Sequence, residues 1–532
     1  MKRIFCSGVM VLSLAAVPGF AATPDFDFAS LGAQAQPETV GTPRDPGARA
    51  VEMRSLQERL AAGQVEKALG RPVVIQLSAA ERRQIDVPTP GRVENKYLVG
   101  VAKRVGTSID FTAARSLQKS VAGLTVGAAR GTGGDGFVWT AAVRVPGATA
   151  LRAHLTGLDL PAGAQLYVYN LAGQAFGPYT GRGPLGTGDM HTNTVFGEQL
   201  MLQLRAPADS GRAPRLTLAE VGVMGARFVA PKFGPQGAFD INDVNAFNKA
   251  SNLCSINANC VVNAACQSSA AVNIAKDAVA GMLFQSGSSF YICTGGLVAD
   301  TVSTSVIPYF LTAHHCISSS GEASSLETYF DYATTCSSPN CTQPYNNTGE
   351  TVGSTIKATG STSDYTLVQL SSTPTTPDGV ATYLGWLSTA VANTNNTPLY
   401  RISHPQGSPQ AYTEGVVDTT KGTCRTLARG NFIYSRDTLG ATEGGSSGSP
   451  VVNAAGQIVG QLYGACGTNL NNVCDAANNA TVDGAFAASY PNLSAFLNPG
   501  TGSCGAVGSS CTTNGQCCSN SCKGPTGAKT CK

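Results

Sequence analysis

The cysteines of this chain are all but confined to one half of it. Seventeen are present, yet none lies between Cys6 and Cys254, and sixteen fall from Cys254 onward. Such density implies an oxidising compartment, where sixteen thiols most naturally pair as eight disulfides. Charge divides at the same place. Residues 1–249 carry 26 Lys and Arg against 19 Asp and Glu, whereas residues 250–532 carry 10 against 14. Two physical regimes are joined covalently, and at 532 residues the chain exceeds one ordinary domain. A net charge of +3 without any Lys/Arg-rich run argues against nucleic acid as a partner. With 42% hydrophobic residues a large core is within reach. Beyond the first twenty-odd residues no apolar stretch attains the roughly 18 residues that a membrane helix needs.

The beginning reads as an export signal. Lys2 and Arg3 precede an apolar run over residues 4–17, and Gly19-Phe20-Ala21 supplies small residues for cleavage after Ala21. Residues 1–21 are therefore expected to be a signal peptide of a secreted, extracellular protein. Residues 22–249 read as a pro-segment. Helix-favouring composition spans residues 47–69, followed from about Tyr97 by short apolar runs broken by Gly and Pro, the pattern of a β-sandwich. Its two histidines, His154 and His191, read as structural. A cationic, cysteine-free segment ahead of an anionic, disulfide-rich one suits a folding assistant or intramolecular inhibitor. A carbohydrate- or surface-binding module that stays attached is the competing reading.

Three strings in the second half carry chemistry. Thr312-Ala313-His314-His315-Cys316 holds two of the five histidines in the chain. Ser363-Asp364-Tyr365-Thr366-Leu367 puts an acid at the head of an alternating strand, and Glu443-Gly444-Gly445-Ser446-Ser447-Gly448-Ser449-Pro450 is a glycine-rich turn. A serine hydroxyl attacks only when an imidazole takes its proton, and a buried carboxylate must hold that imidazole in the correct tautomer. Glycines around the serine permit a turn that aims backbone N–H groups at a developing oxyanion. His314 reads as a structural neighbour and His404, before Pro405, as a loop residue.

Together these strings resemble the chymotrypsin-like serine endopeptidases, and the His-His-Cys and Glu-Gly-Gly-Ser-Ser-Gly-Ser-Pro variants look most like the bacterial lysyl endopeptidase subgroup. The resemblance covers residues 250–497. It implies a mostly β chain whose protease domain is a double β-barrel with the active site between barrels. By position, His315 would be the general base, Asp364 its orienting acid and Ser447 the nucleophile. Backbone N–H groups of Gly445 and Ser447 would form the oxyanion hole. Cys293 and Cys316 would close the loop around the histidine, a link worth on the order of 3 kcal/mol. The partners of Cys254, Cys260, Cys266, Cys336, Cys341, Cys424, Cys466 and Cys474 stay open. A zinc site is the alternative for that cluster, but close Cys pairs beside His are lacking. No metal or cofactor is expected.

The same resemblance makes Glu443 the acidic residue of the primary pocket, and a second Asp is implied on a later strand. Thr481 stands near that position, with Asp483 two residues on, and Tyr463 replaces the subgroup's aromatic-facing histidine. Cleavage after Lys, or after Lys and Arg, is the expectation; a non-basic preference, and an inactive protease-like binding protein, are the alternatives. Ser446 stands where trypsin-like zymogens carry the Asp that pairs with a freed N-terminus, so release from the pro-segment, with a cut at Lys249-Ala250, is the expected switch. Substrates would be proteins or peptides, acted on by a monomer. The tail, residues 498–532, holds six cysteines with almost no apolar core and resembles a cystine-knot miniprotein. That family implies the pairs Cys504–Cys518, Cys511–Cys522 and Cys517–Cys531.

Overall fold

The computed structural model describes residues 32–499 except 88–95, 118–119, 133–135, 208–210, 229–252, 255, 303–305, 338–340, 342–348 and 425, and in the tail residues 508–511, 521–525 and 529–532. The signal peptide and the Lys249-Ala250 junction lie outside the described residues. No helix among the described residues is long and apolar enough to cross a membrane.

The chain is mostly β. In the second half two strand circuits close. The first barrel links Glu327–Phe330, Val279–Ser286, Ser289–Leu297, Tyr309–Ala313 and Tyr365–Leu370 through antiparallel pairs. A strand stretch from Gly349 to Gly360, bent at Gly353, pairs with Glu327–Phe330 at one end and with Tyr365–Leu370 at the other. Gly353 has φ +84°, a conformation that glycine adopts without strain. The second barrel runs Gln457–Gly467, Pro450–Val452, Pro398–Ser403, Ala411–Val417, Phe432–Leu439 and Asn479–Ala485, and the last of these returns to the first. Each circuit returns on itself, and the part of the first that stays open, at Ser289–Ile292, is covered by a strand from the other half.

Disulfides fasten this half where the long connections would otherwise cost entropy. Cys293–Cys316 links the first barrel's strand to the segment after His315. Four further pairs, Cys254–Cys341, Cys260–Cys474, Cys266–Cys336 and Cys424–Cys466, resolve partners that the sequence leaves open. In the tail Cys511–Cys522 is joined; Cys504, Cys517 and Cys518 lie outside the described residues.

The N-terminal half has no such links and relies on packing. One sheet is ordered Ala175–Tyr179, Gln165–Tyr169, Gln199–Ala206, Phe137–Arg144, Ala128–Gly131, Val121–Gly123. It faces a second sheet built from Ala150–Asp159, Arg215–Met224 and Tyr97–Asp110. Between them Trp139 is wholly buried, its ring edge-on to Phe111 at 5.3 Å. The helical stretch divides: Ala48–Gly63 ends before Gln64, which is extended, and Glu66–Leu69 forms a separate turn. A third helix, Ala79–Asp86, escapes the compositional reading but carries a full capping box from Ser78 and Glu81. His154 and His191 are cross-strand neighbours with rings stacked at 4.2 Å.

The two halves share a sheet. Tyr97–Asp110 pairs antiparallel with Ser289–Leu297, and near the beginning of the chain Gln34–Ala35 and Glu38–Gly41 pair with strands at Gly385–Leu387 and Val380–Tyr383.

Candidate active site

His315 follows directly on the buried strand Tyr309–Ala313, and the Cys293–Cys316 bond anchors its neighbour. Asp364 closes a turn before Tyr365–Leu370 with φ +52°, a left-handed conformation that Asp tolerates better than most side chains. That turn is gripped from the other barrel: Gln461 Nε2 donates to the Ser363 carbonyl at 2.7 Å and to the Asp364 carbonyl at 3.2 Å. The buried Asp364 carboxylate then meets His315 twice. Oδ1 accepts the His315 backbone N–H at 2.9 Å, and Oδ2 lies 2.7 Å from Nδ1. Such a contact places the proton on Nδ1 and leaves Nε2 as the basic nitrogen. The Tyr463 ring stands edge-on to the His315 ring, centroids 5.7 Å apart.

Ser447 sits in the turn before Pro450–Val452. Its carbonyl accepts the Thr294 N–H at 2.8 Å, and Thr294 Oγ1 donates to the Gly445 carbonyl at 2.8 Å, so the first barrel fixes the turn of the second. A Cβ at Gly448, where φ is +81°, would overlap Thr312 Oγ1 and the Thr294 carbonyl. Gly445 (φ +98°) would press on the His404 carbonyl at 2.9 Å. Both positions need glycine.

A cleft open to solvent is lined by Ser447, Glu443, Leu462, Thr481, Asp437 and neighbours. Glu443 reaches it, but its carboxylate is claimed: it accepts from Asn257 Nδ2 (2.8 Å), the Ala258 N–H (3.0 Å) and Gln406 Nε2 (3.0 Å). Asp483 is not among the lining residues. It is wholly buried and ion-paired with Arg401, which corrects its expected place in the pocket: a carboxylate with no solvent contact takes the nearest cation. The acid that does face the cavity is Asp437. Thr481 Oγ1 donates to it at 2.8 Å, and burial together with the neighbouring Asp483 pushes its carboxyl up to about 6 against the pull of Arg401 and Thr481. One guanidinium thus serves two carboxylates. The sequence reading passed over Asp437, although alternation along Phe432–Leu439 places it on the face shared with Ser435.

His314 lies 2.8 Å from Thr359 Oγ1 through Nδ1, away from this chemistry. His404 does lie in a loop, between Pro398–Ser403 and the turn Pro405–Gly407, but its ring is buried there: it stacks on Tyr332, and burial drives its pKa down to about 4. Ser446, also buried, accepts a hydrogen bond from Ser403 Oγ at 3.1 Å. Among the described residues no cluster of His, Cys, Asp or Glu could hold a metal ion.

Two closed six-strand circuits, with a His–Asp pair on one and a serine turn on the other, decide the architecture. The C-terminal half has the chymotrypsin-like protease fold. Residues 248–480 match the family described as lysyl endopeptidase, C-terminal domain. A lysyl endopeptidase of Pseudomonas aeruginosa is 31% identical over 263 residues, covering 47% of this chain and 53% of that protein. The chain therefore spans about half the length of this curated relative. Among solved structures, a variant of the HtrA-type protease AlgW with a tripeptide is 15% identical over 46% of this chain and 70% of that one, at a TM-score of 0.31. The active form of the Rv3671c protease from M. tuberculosis is 14% identical over 43% and 84%, at 0.28.

Proposed function

We propose that this chain is a secreted serine endopeptidase, made as a precursor, that cleaves after Lys or after Lys and Arg. The observation that carries the reading is the His315–Asp364 pair, whose imidazole meets the ring of Tyr463 between Leu462 and Gly464 of the cavity that Ser447 lines. In this reading His315 Nε2 takes the Ser447 proton as Oγ attacks the substrate carbonyl. The backbone N–H groups of Gly445 and Ser447 receive the oxyanion. His315 then returns the proton to the leaving amine, and water releases the acyl group by the same steps in reverse. Asp364 stabilises the imidazolium without being protonated.

The basic preference is supported by Asp437, held by Thr481 on the cavity wall. An ammonium entering beside it would complete the charge of a cluster in which one guanidinium faces two carboxylates. Tyr463 and Glu443 frame the site, the first beside the base and the second as a brace of the turn before Ser447. Export fits the disulfide-linked catalytic half. The N-terminal half serves as the pro-segment, cut near Lys249-Ala250.

A cleavage-site map tests this. Wild type and Ser447→Ala are incubated with a denatured protein and the peptides read by mass spectrometry. Cuts after Lys or Arg that vanish in the variant are expected, with a loss of about 10⁶ in kcat. Cuts elsewhere would keep the triad and discard the cavity assignment. A folded wild type that makes no cuts and fails to react with a fluorophosphonate would favour a protease-like binding protein.

A further inference from the structure

Glu327 belongs to the first barrel, yet everything that solvates it comes from the other half of the chain. Its side chain is wholly buried. The carboxylate accepts from Asn193 Nδ2 at 3.0 Å, from the Thr194 N–H at 3.0 and 3.2 Å, and from Thr194 Oγ1 at 2.6 Å. The Arg152 guanidinium, also wholly buried, stands 3.6 Å away. Arg152 in turn donates to the Ser325 carbonyl of the barrel at 2.7 Å and to the Thr192 carbonyl of its own half at 2.6 Å. The joint is thus a carboxylate site built by one half around an acid of the other.

The surrounding contacts follow the same division. The sandwich strand Tyr97–Asp110 covers the barrel strand Ser289–Leu297 along its edge. Tyr97 OH donates to Gln406 Oε1 at 3.1 Å, and the Gln406 N–H reaches the Gly444 carbonyl at 2.6 Å, three residues before Ser447. The cavity beside Ser447, however, has no lining residue from 32–228. The described part of the N-terminal half therefore supports the catalytic turn from behind without occupying the cavity.

We propose that residues 32–228 are an obligatory partner of the catalytic half, recognised through Glu327, and that they stay docked once the connecting chain is cut. Separation would strip the Glu327 carboxylate of all these donors, break up the buried ion pair with Arg152 and bare the strand edge beside it. Cutting between the halves then does not expel the N-terminal unit. This goes beyond the precursor reading above, which treats the pro-segment only as something removed.

The test uses the full chain carrying Ser447→Ala, with the recognition sequence of a site-specific protease inserted within 229–252. After cutting, the halves are expected to co-elute on size exclusion at 1 μM or below, a concentration set by ordinary tight association. Arg152→Met, and the milder Thr194→Val, should each speed their separation at least tenfold, and Glu327→Gln placed on Arg152→Met should recover part of that loss. Halves that separate readily while both keep their circular dichroism would overturn the proposal. So would an Arg152→Met or Thr194→Val chain whose halves part no faster than the parent. Because the serine is absent throughout, the outcome does not depend on whether the chain is a protease.

Discussion

Arg152 and Arg401 are both buried against carboxylates, one at the joint between the halves and the other beneath the cavity. Around Arg152 a single acid, Glu327, collects donors from Asn193 and Thr194 as well, so the charge is balanced, with Arg152 Nη2 alone left without a hydrogen bond. Around Arg401 two acids compete: Asp483 holds the ion pair, and Asp437 is left with a threonine hydroxyl and an open cavity. The same residue types therefore do opposite work. A balanced cluster closed to solvent is a structural joint, and an over-acidic one that opens on a cavity is prepared for a cation from outside.

The comparison breaks first at the joint. Glu327→Ala strands the Arg152 guanidinium in the joint between the halves, and unfolding in urea should show a loss of about 3–5 kcal/mol. A loss under about 1 kcal/mol would mean that water reaches Arg152 and that the joint is not closed.

At the cavity the effect should fall on activity instead. Asp437→Asn is expected to lower kcat/KM after Lys about 100-fold, close to 2.7 kcal/mol of transition-state stabilisation, and to leave the urea midpoint nearly unchanged. The carboxyl of Asp437 is raised to about 6, so it is protonated below that pH. Basic substrates should then lose kcat/KM relative to neutral ones as pH falls through 6, and Asp437→Asn should remove that difference while leaving the acid limb set by the His315 base. Arg401 on Pro398–Ser403, and Asp483 and Thr481 on Asn479–Ala485, are the charged and bonded groups that set this value. A profile unchanged by the substitution would return the preference to Glu443.

What the sequence made legible follows from how local each signal is. The strings around His315, Asp364 and Ser447 could be read because each residue type sits in a short pattern with its own mechanical reason, and the structure brings His315 and Asp364 into contact. The sandwich was legible through short apolar runs such as Phe137–Arg144 and Gln165–Tyr169, set off by Gly and Pro. Pairings that depend on topology were not. Cys260 and Cys474 lie 214 residues apart, and nothing near either one names the other. Asn193 and Glu327, 134 residues apart, meet only because two sheets dock. Asp483 illustrates the converse: spacing put an acid close to the expected pocket position, but strand register turned it to Arg401, while the neighbouring strand delivered Asp437 to Thr481.

The smallest expected effect sharpens the same contrast without any arginine. Asp331 follows the strand Glu327–Phe330, with Asp277 and Asp378 close by. Burial, and then those two acids, push its carboxyl up to about 7. An acid whose folded value is raised binds its proton more tightly folded than unfolded. Stability is therefore lost as pH rises from about 4, the unfolded value, to 7, and the full cost is present above that. Asp331→Asn removes the charge and keeps a side chain suited to the left-handed backbone at this position, where φ is +59°. At pH 8 the variant should be more stable than the parent by about 1 kcal/mol, and at pH 4 the two should unfold together. Equal stability at both pH values would mean that a cation compensates these carboxylates as Arg152 compensates Glu327. An acid cluster with only Lys276 acting on one member, an acid with a buried arginine, and two acids sharing one would then no longer form the graded series that separates the cavity from the joint.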